Sequence, residues 1–579
     1  MGTGEWGYTV PPSEGGGDVM VALAEADEPK HGDHKGPVDW LKKNLFNTWY
    51  NTIITIVFGA FAIWAGYYAL RFVFVTARWE PVEENLELFM IGLFPREERT
   101  RLIVQLFLWG AGGGLFAGWL RQRSIIQAEQ AGLERQKTTW REYFSTYWAL
   151  GLFFLTCLVL GSSTISPWLI ALGCVAAAIA GYVATKRHPH PALRLVLFVP
   201  FGIAVGVLSR IQDLDNSKAY LIAAVCTVLL FAVSFLRDQS FTLSMSLLAG
   251  VAGFQSLSGT GGIAWLFALI ALLPFVLHVA GRLADDGPDW VRWAGVALVA
   301  GVLVWRIAVG GGISIATIVL ALLTVLAVVD AVNGTGTSAI QYGLIAGTGA
   351  LSFAVTRGID LEGIDWREWN GLHLNLVVAG AAIVLAFPVG LLLALGRRSK
   401  LPVLRWMSTV YIETIRGVPL ISLLLMGDLF IGFFIGTDVD LSKVTKATAA
   451  ITMFSAAYIA EIVRGGLQAV ATGQTEAGQA LGLPPAKITR LLVLPQALRA
   501  VIPAMVGQFI SLFKDTSLLA IIAIPDFLGI REIVHGQEAF RGFGIAETLV
   551  FVAFGFWAFS FTMSRESQRL ERRLGVGVR

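Results

Sequence analysis

Residues 51–70 and 374–396 are continuous apolar runs without a single charged side chain, each about the length that crosses a bilayer as a helix. In hydrocarbon the backbone must satisfy its own N–H and C=O groups, which leaves helices or closed barrels. The runs here are continuously apolar and lack the alternation of barrel strands. Similar runs recur along the 579 residues, and charged side chains make up only 15% of the chain, against about 25% in soluble globular proteins. The expected fold class is all-α: a polytopic helical membrane protein.

Breaks between the runs suggest about sixteen transmembrane helices. Two lie near 50–75 and 102–120, joined by a charged loop at 76–101, and nine candidates follow between about 144 and 357. A polar segment with Asp360, Glu362, Asp365 and Glu368 precedes five more, near 372–396, 417–437, 447–465, 498–514 and 545–563. The expected organisation is a disordered cytoplasmic tail over 1–46, a two-span extension over 47–143, an extra multi-span region of unassigned role over 144–358, and a C-terminal domain over 359–579. The tail is polar, acidic and Gly-rich, with no signal-peptide pattern. Cys157, Cys174 and Cys226 all fall in apolar runs and read as small buried hydrophobes. His188 and His190 lack further ligands, so no metal site is expected.

Basic clusters fix the expected orientation, since Lys and Arg accumulate on the cytoplasmic side. With Lys42 and Lys43 inside, alternate counting places Arg121, Arg123, Arg135, Lys137 and Arg141 inside. Lys186 and Arg187, Arg397, Arg398, Lys400 and Arg405, and the tail with Arg565, Arg569, Arg572, Arg573 and Arg579 follow them. Both termini are expected in the cytoplasm, and the acidic segment before residue 372 outside.

One inside loop, 472–485, reads TGQTEAGQALGLPP. Thr475 is placed to cap a short helix with Glu476 in its first turn, where the helix dipole favours an anion. Ala477, Gly478 and Ala480 keep that helix slim. Gly482 suits the left-handed residue that ends it, and Pro484 blocks continuation. A slim helix on the cytoplasmic face either enters a partner's groove or is an ordinary connection.

Glu476, Ala477, Gly478 and Gly482, followed by Leu492, Leu494 and Pro495, resemble the EAA signature of ABC importer permeases. Gly478 replaces the usual alanine and Leu492 the usual isoleucine. AYIAE at 457–461, EIVRGG at 461–466, LPQAL at 494–498 and KDTSL at 514–518 are similar to the polar-amino-acid permeases of that class. WNGL at 369–372, GRRSK at 396–400 and RGVPL at 416–420 resemble its broad-specificity L-amino-acid and glutamate/glutamine branch, as do WLKKNLF at 40–46 and IGLFPREE at 91–98. The resemblance implies a five-helix type I permease core. It implies that Glu476, Ala477, Gly478, Gly482, Leu494 and Pro495 couple the chain to an ATPase. It further implies two ATPase subunits, a second permease subunit (a different chain or a second copy), an external amino-acid-binding protein and an amino acid substrate, all at a bacterial plasma membrane. The chain has no G-x-x-x-x-G-K-[ST] phosphate loop, so ATP and Mg are expected on the partner ATPase and no cofactor or nucleic acid on this chain.

Other residues keep two readings. Glu413 with Arg416, and Glu461 with Arg464, sit three apart as local charge pairs or as gate contacts. Lys514, Asp515, Thr516 and Ser517 follow a span and either meet the ammonium and carboxylate of a substrate or cap the next helix while Lys514 snorkels. Asp428 is isolated in an apolar run. It should face a cavity on the substrate pathway or bond a neighbouring helix. An ion-driven secondary transporter, or a scaffold that kept a permease-like domain, are the competing functions. The first predicts charged residues paired within spans, and the middle spans are nearly free of them.

Overall fold

The computed structural model describes Leu41, Val233 and residues 44–130, 140–161, 166–185, 238–261, 264–286, 290–308, 315–333, 337–435 and 442–574. The 1–40 part of the tail, Lys42, Lys43, Arg135, Lys137, Lys186, Arg187, His188, His190, Cys226 and Arg579 lie outside these. The chain divides into two compact units, Met1–Arg78 and Trp79–Arg579. The first holds α1 (Trp49–Arg71), capped by the Thr48 hydroxyl, which accepts the Asn51 N–H at 3.4 Å. No residue of α1 is buried.

The second unit opens with two short helices, α2 (Glu80–Glu83) and α3 (Leu86–Ile91). α4 (Arg99–Gln130), α5 (Trp140–Leu160) and α6 (Ser166–Ala184) follow. After these come α7 (Gln239–Ser258), α8 (Ala264–Asp286), α9 (Trp290–Ala308), α10 (Ile315–Asn333) and α11 (Thr337–Ile359). The C-terminal part contains α12 (Gly371–Arg397), α13 (Pro402–Gly417), α14 (Leu420–Ile435), α15 (Lys443–Ala469), α16 (Thr472–Ala480), α17 (Pro485–Ile488), α18 (Leu494–Asp515), α19 (Ile530–Gly536) and α20 (Ile545–Leu574).

Lipid tails are as apolar as leucine, so close backbone approach and interhelical hydrogen bonds hold these helices together. Gly110, Gly114 and Gly118 recur every fourth residue along α4 and face α6. A Cβ at Gly114 would collide with the Ala178 carbonyl, and one at Gly181 with that of Ala111. α7 crosses the same helix, its Ser246 hydroxyl donating to the Gly112 carbonyl at 2.8 Å.

The helices before and after residue 359 share buried clusters. Leu102 and Leu257 pack with Trp369, Leu374 and Val378. Phe89 and Phe153 pack with Phe527 and Phe551, their rings meeting edge-on or tilted at 5.4–6.5 Å. Gln105 on α4 bonds His373 on α12 at 2.8 Å in the interior.

Among the described residues eleven helices are long and apolar enough to cross a membrane, or twelve with one bent pair, and Ile170–Ala184 and Thr317–Val332 are shorter apolar helices. The sequence count of about sixteen also rests on residues 186–232 and 234–237, outside the described set. One boundary is corrected. The span expected at 417–437 is preceded by the separate helix α13, and α13 and α14 meet at 106°. Pro419 cannot continue a helix, and Val418, just before it, is extended. The sequence reading missed α13 because its polar face (Arg405, Thr409, Glu413, Arg416) interrupts the apolar run.

Candidate functional site

The loop after α15 forms a compact hairpin of short helices. α16 begins at Thr472, with Ala471 as its N-cap and no side-chain cap. Thr475 is therefore inside the helix rather than its cap, and Glu476 is in the second turn; the expected first-turn placement is corrected. The turn Gln474 N–H to Ala471 C=O, 3.1 Å, starts the helix four residues earlier.

The C-terminal end is as expected. Gly482 has φ +70, its N–H donates to the Gln479 carbonyl at 2.9 Å, and the Leu483 N–H donates to the Gly478 carbonyl at 3.1 Å. This is the paired 6→1 and 5→2 closure of a Schellman cap. Glu476, Ala477 and Pro495 are exposed, Leu494 is half-buried, and Leu481 stands 78% exposed. Gly478 points inward: a Cβ there would sit 2.9 Å from Ile488 Cγ1 and 3.1 Å from Leu492 Cδ1. It serves the packing of the loop on itself, so that of the slim residues Ala477, Gly478 and Ala480 it is the one turned inward.

Beside this loop a charge hub ties three helices. Arg397 at the end of α12 donates to Glu461 Oε1 of α15 at 2.5 Å and to Glu413 Oε1 of α13 at 2.7 Å. Arg464 forks onto both oxygens of Glu461 at 3.0 and 2.9 Å, so that expected pair forms. Glu413 and Arg416 do not form theirs among the ion pairs described: Glu413 turns to Arg397, and Arg416 approaches Glu461 at 3.6 Å while lying 5.4 Å over the Tyr458 ring. Sequence spacing sees partners on one helix only, and the winning partner, Arg397, comes from another.

The far ends of α12 and α15, helices of 27 residues each or about 40 Å at 1.5 Å per residue, carry a different chemistry. Asn375 is fully buried. Its Nδ2 donates to Thr516 Oγ1 and to Asp526 Oδ2, both at 3.0 Å, and its Oδ1 accepts the Phe527 N–H at 2.8 Å. Asp526 Oδ1 accepts the Gly529 N–H at 2.8 Å. This knot pins the turn after α18 onto α12, a join continued by the Gly371 N–H to the Pro525 carbonyl at 2.8 Å.

Asp526 lies between spans, and burial pushes its carboxyl up to about 6, against the hydrogen bonds from Asn375 and Gly529 that pull it down. The sign follows from which state holds the proton longer. Below about pH 4 the group is neutral whether folded or unfolded. From about 4 to 6 the unfolded chain loses its proton first, so stability falls as pH rises, by up to ~3 kcal/mol once past 6. Thermal-unfolding midpoints of the purified protein should decline across that window, and Asp526→Asn should flatten the decline. A wild-type midpoint that holds or rises there would contradict the assignment.

Also at this end is a cavity of about 450 Å³ whose lining includes Trp366, Arg367, Trp369, Asp428, Lys443, Lys446, Ala523, Ile524 and Pro525. Asp428 Oδ2 is 3.6 Å from Lys443 Nζ, and Lys446 Nζ donates to the Asp428 carbonyl at 3.3 Å.

Residues 386–576 match the family described as binding-protein-dependent transport system inner membrane component. The inner membrane amino-acid ABC transporter permease protein YhdY of Escherichia coli K12 is 44% identical over 217 residues, 38% of this chain and 59% of that one. The glutamate/glutamine/aspartate/asparagine transport system permease protein BztC of Rhodobacter capsulatus is 43% identical over 215 residues, 37% of this chain and 49% of that one. The chain thus spans about half the length of these two relatives. The glutamate/aspartate import permease protein GltK of Escherichia coli O157:H7 is 31% identical over 209 residues, and 92% of it is covered. The chain belongs to this permease family. A crystal structure of an amino acid ABC transporter with histidines, 30% identical, covers 35% of this chain and 92% of its own, with a TM-score of 0.32. Permeases of this kind are transmembrane transport subunits rather than enzymes.

In this permease the KDTSL residues separate. Lys514 is exposed, Asp515 and Ser517 are half-buried, and Thr516 is buried in the Asn375 knot, its hydroxyl donating to the Phe513 carbonyl at 2.6 Å. Thr516 is a structural tie. None of the four lines the cavity at Asp428. Sequence reasoning missed Asn375, His373 and Asp526. The available signal was the polar residue itself: His373 and Asn375 flank Leu374, at the mouth of a run otherwise free of such groups.

Proposed function

We propose that the chain is the permease subunit of an ATP-driven ABC importer that moves L-amino acids, polar or acidic ones or their amides, across the bacterial plasma membrane. The observation that carries this reading is loop 472–485: a short helix with Glu476, Ala477 and Leu481 exposed, closed by Gly482 and set beside the Glu461 hub. Such a knob suits a groove on an ATPase subunit, and the hub would pass its movement to α12, α13 and α15. Two ATPase subunits carrying ATP and Mg, a second permease subunit and an external amino-acid-binding protein complete the assembly. The coupling loop, both termini and the basic clusters face the cytoplasm, and the cavity end faces outward. The names of the relatives YhdY, BztC and GltK support the substrate class.

The test is co-expression with the ATPase, second-subunit and binding-protein genes of one transport operon, followed by reconstitution in proteoliposomes. ATP hydrolysis should rise several-fold when amino-acid-loaded binding protein is supplied on the side opposite the ATPase. Hydrolysis indifferent to the loaded binding protein from either side would overturn the reading.

A further inference from the structure

α13 has three sides at the helical period. Ser408, Ile412 and Ile415 are buried against the core. Arg405, Thr409, Glu413 and Arg416 form a polar stripe. Val403, Trp406, Met407 and Val410 form an apolar one, and each of these four is more than 40% exposed. Trp406 falls at the border between the two stripes. The helix runs across the end of α12 rather than along it. Ser408 lies against Gly396, and Glu413, more than a turn later, meets the adjacent Arg397. α13 then turns by 106° into α14.

Its contacts with α15 show which stripe faces which way. The polar stripe meets the hub, where Arg416 approaches Glu461 at 3.6 Å. The Tyr411 hydroxyl, from the side that adjoins the apolar stripe, donates to the Met453 carbonyl at 2.9 Å. Met453 is about 12 Å farther than Glu461 from the coupling-loop end of α15, at 1.5 Å per residue. The apolar stripe therefore turns toward the depth of the span and the polar stripe toward its end. Lys400 and Arg405 are exposed at the start of this helix, and neither is in an ion pair among the described residues. Water would leave Val403, Trp406 and Met407 wet, whereas hydrocarbon would strand Arg405. The boundary between the two meets both demands, and a tryptophan at the border of the stripes suits that level.

We propose that α13 is an in-plane anchor that binds anionic phospholipids of the cytoplasmic leaflet. Lys400 and Arg405 lie against the headgroups, while Val403, Trp406, Met407 and Val410 enter the acyl-chain boundary. Glu413 and Arg416 of the same helix belong to the Glu461 hub, so the leaflet holds one of the three helices that the hub joins. The proposal goes beyond the importer reading and takes from it only which leaflet this is.

The test reads the lipid beside α13 directly. The full-length chain, its three cysteines replaced by alanine, carries Met407→Cys labelled with bimane. It enters nanodiscs in which either phosphatidylglycerol or phosphatidylcholine, at one mole fraction, has brominated acyl chains. Both lipids should quench the label. Phosphatidylglycerol should quench at least about twofold more strongly, because each basic residue near an anionic surface adds to the attraction. Lys400→Gln with Arg405→Gln should bring the two lipids to parity, and Lys400→Arg with Arg405→Lys should keep the preference. High salt should narrow it, since exposed charges are screened. Assembly with the second permease subunit should leave the quenching in place. No quenching by either lipid, equal quenching in the parent chain, or a preference that survives the double glutamine variant would each overturn the proposal. Quenching lost on assembly would also overturn it, by assigning this face to the second subunit. Stimulation of ATP hydrolysis by loaded binding protein is read separately, so the importer reading stands or falls apart from these outcomes.

Discussion

Replacing Asn375 by leucine is expected to destabilise the permease domain by about 3–5 kcal/mol, because two buried groups lose partners that nothing else can supply. Leucine has the same branching and number of heavy atoms and is the bulkier of the two, so no cavity is opened and the effect read here is the loss of polar partners. Asp526 Oδ2 and the Phe527 N–H would both be left without Asn375 in a fully buried site, and one of the two is on a titrating group. Each unmade bond of this kind costs about 1–3 kcal/mol, more where charge is involved. Thr516→Val provides the scale. Its hydroxyl keeps one bond to Asn375 and one to the Phe513 carbonyl, and its loss should cost about 1 kcal/mol. The measurement is thermal unfolding of purified protein in one detergent, with the midpoint falling in the order wild type, Thr516→Val, Asn375→Leu. A leucine variant as stable as the wild type would mean that the turn after α18 is held by something other than this knot.

The knot also shows what the sequence could and could not disclose. Helices were legible because lipid solvation leaves an apolar run with few alternatives: α12, α15, α18 and α20 lie over the expected spans to within a few residues at most of their ends. α13 was not legible, since an amphipathic helix abutting a span at 106° leaves no apolar window of its own. The left-handed Gly482 was readable from one residue type, as its conformation is a local property. Partner choice was not. Asn375, Thr516 and Asp526 lie 141 and 151 positions apart in pairing, and Arg397 reaches Glu461 across 64. A single chain carries no record of such pairings, so Thr516 kept a substrate-facing reading beside that of a helix cap, and Arg416 a pairing with Glu413 beside that of a gate contact. Asp428 differs from both: its burial cost left a cavity and a bond to a neighbouring helix as alternatives, and it lines a cavity while meeting Lys443 and Lys446 of α15.

The other large effect belongs to the coupling loop, where two substitutions should disconnect the permease from its ATPase by different routes. Glu476→Lys reverses an exposed charge on α16 without touching any packed atom, so the chain should fold and purify normally. Gly478→Leu acts from beneath. Its side chain would be driven into Ile488 and Leu492, and α16 must lift away from α17 to admit it. A milder change, Gly482→Ala, meets open space but keeps φ near +70, a cost of about 1 kcal/mol borne by the loop alone. Glu476→Lys and Gly478→Leu are expected to lose ATPase retention on affinity-purified complex, or to lower substrate-stimulated hydrolysis at least about tenfold. Gly482→Ala should fall between them and the wild type. Lys446→Gln, at the opposite end of α15, should retain the ATPase fully and serves as the control for general damage. The three loop variants test different things, since charge reversal probes the docking surface and the two glycines probe its shape. Full retention with normal stimulation in both Glu476→Lys and Gly478→Leu would remove loop 472–485 from the coupling path, whatever the likeness of its sequence.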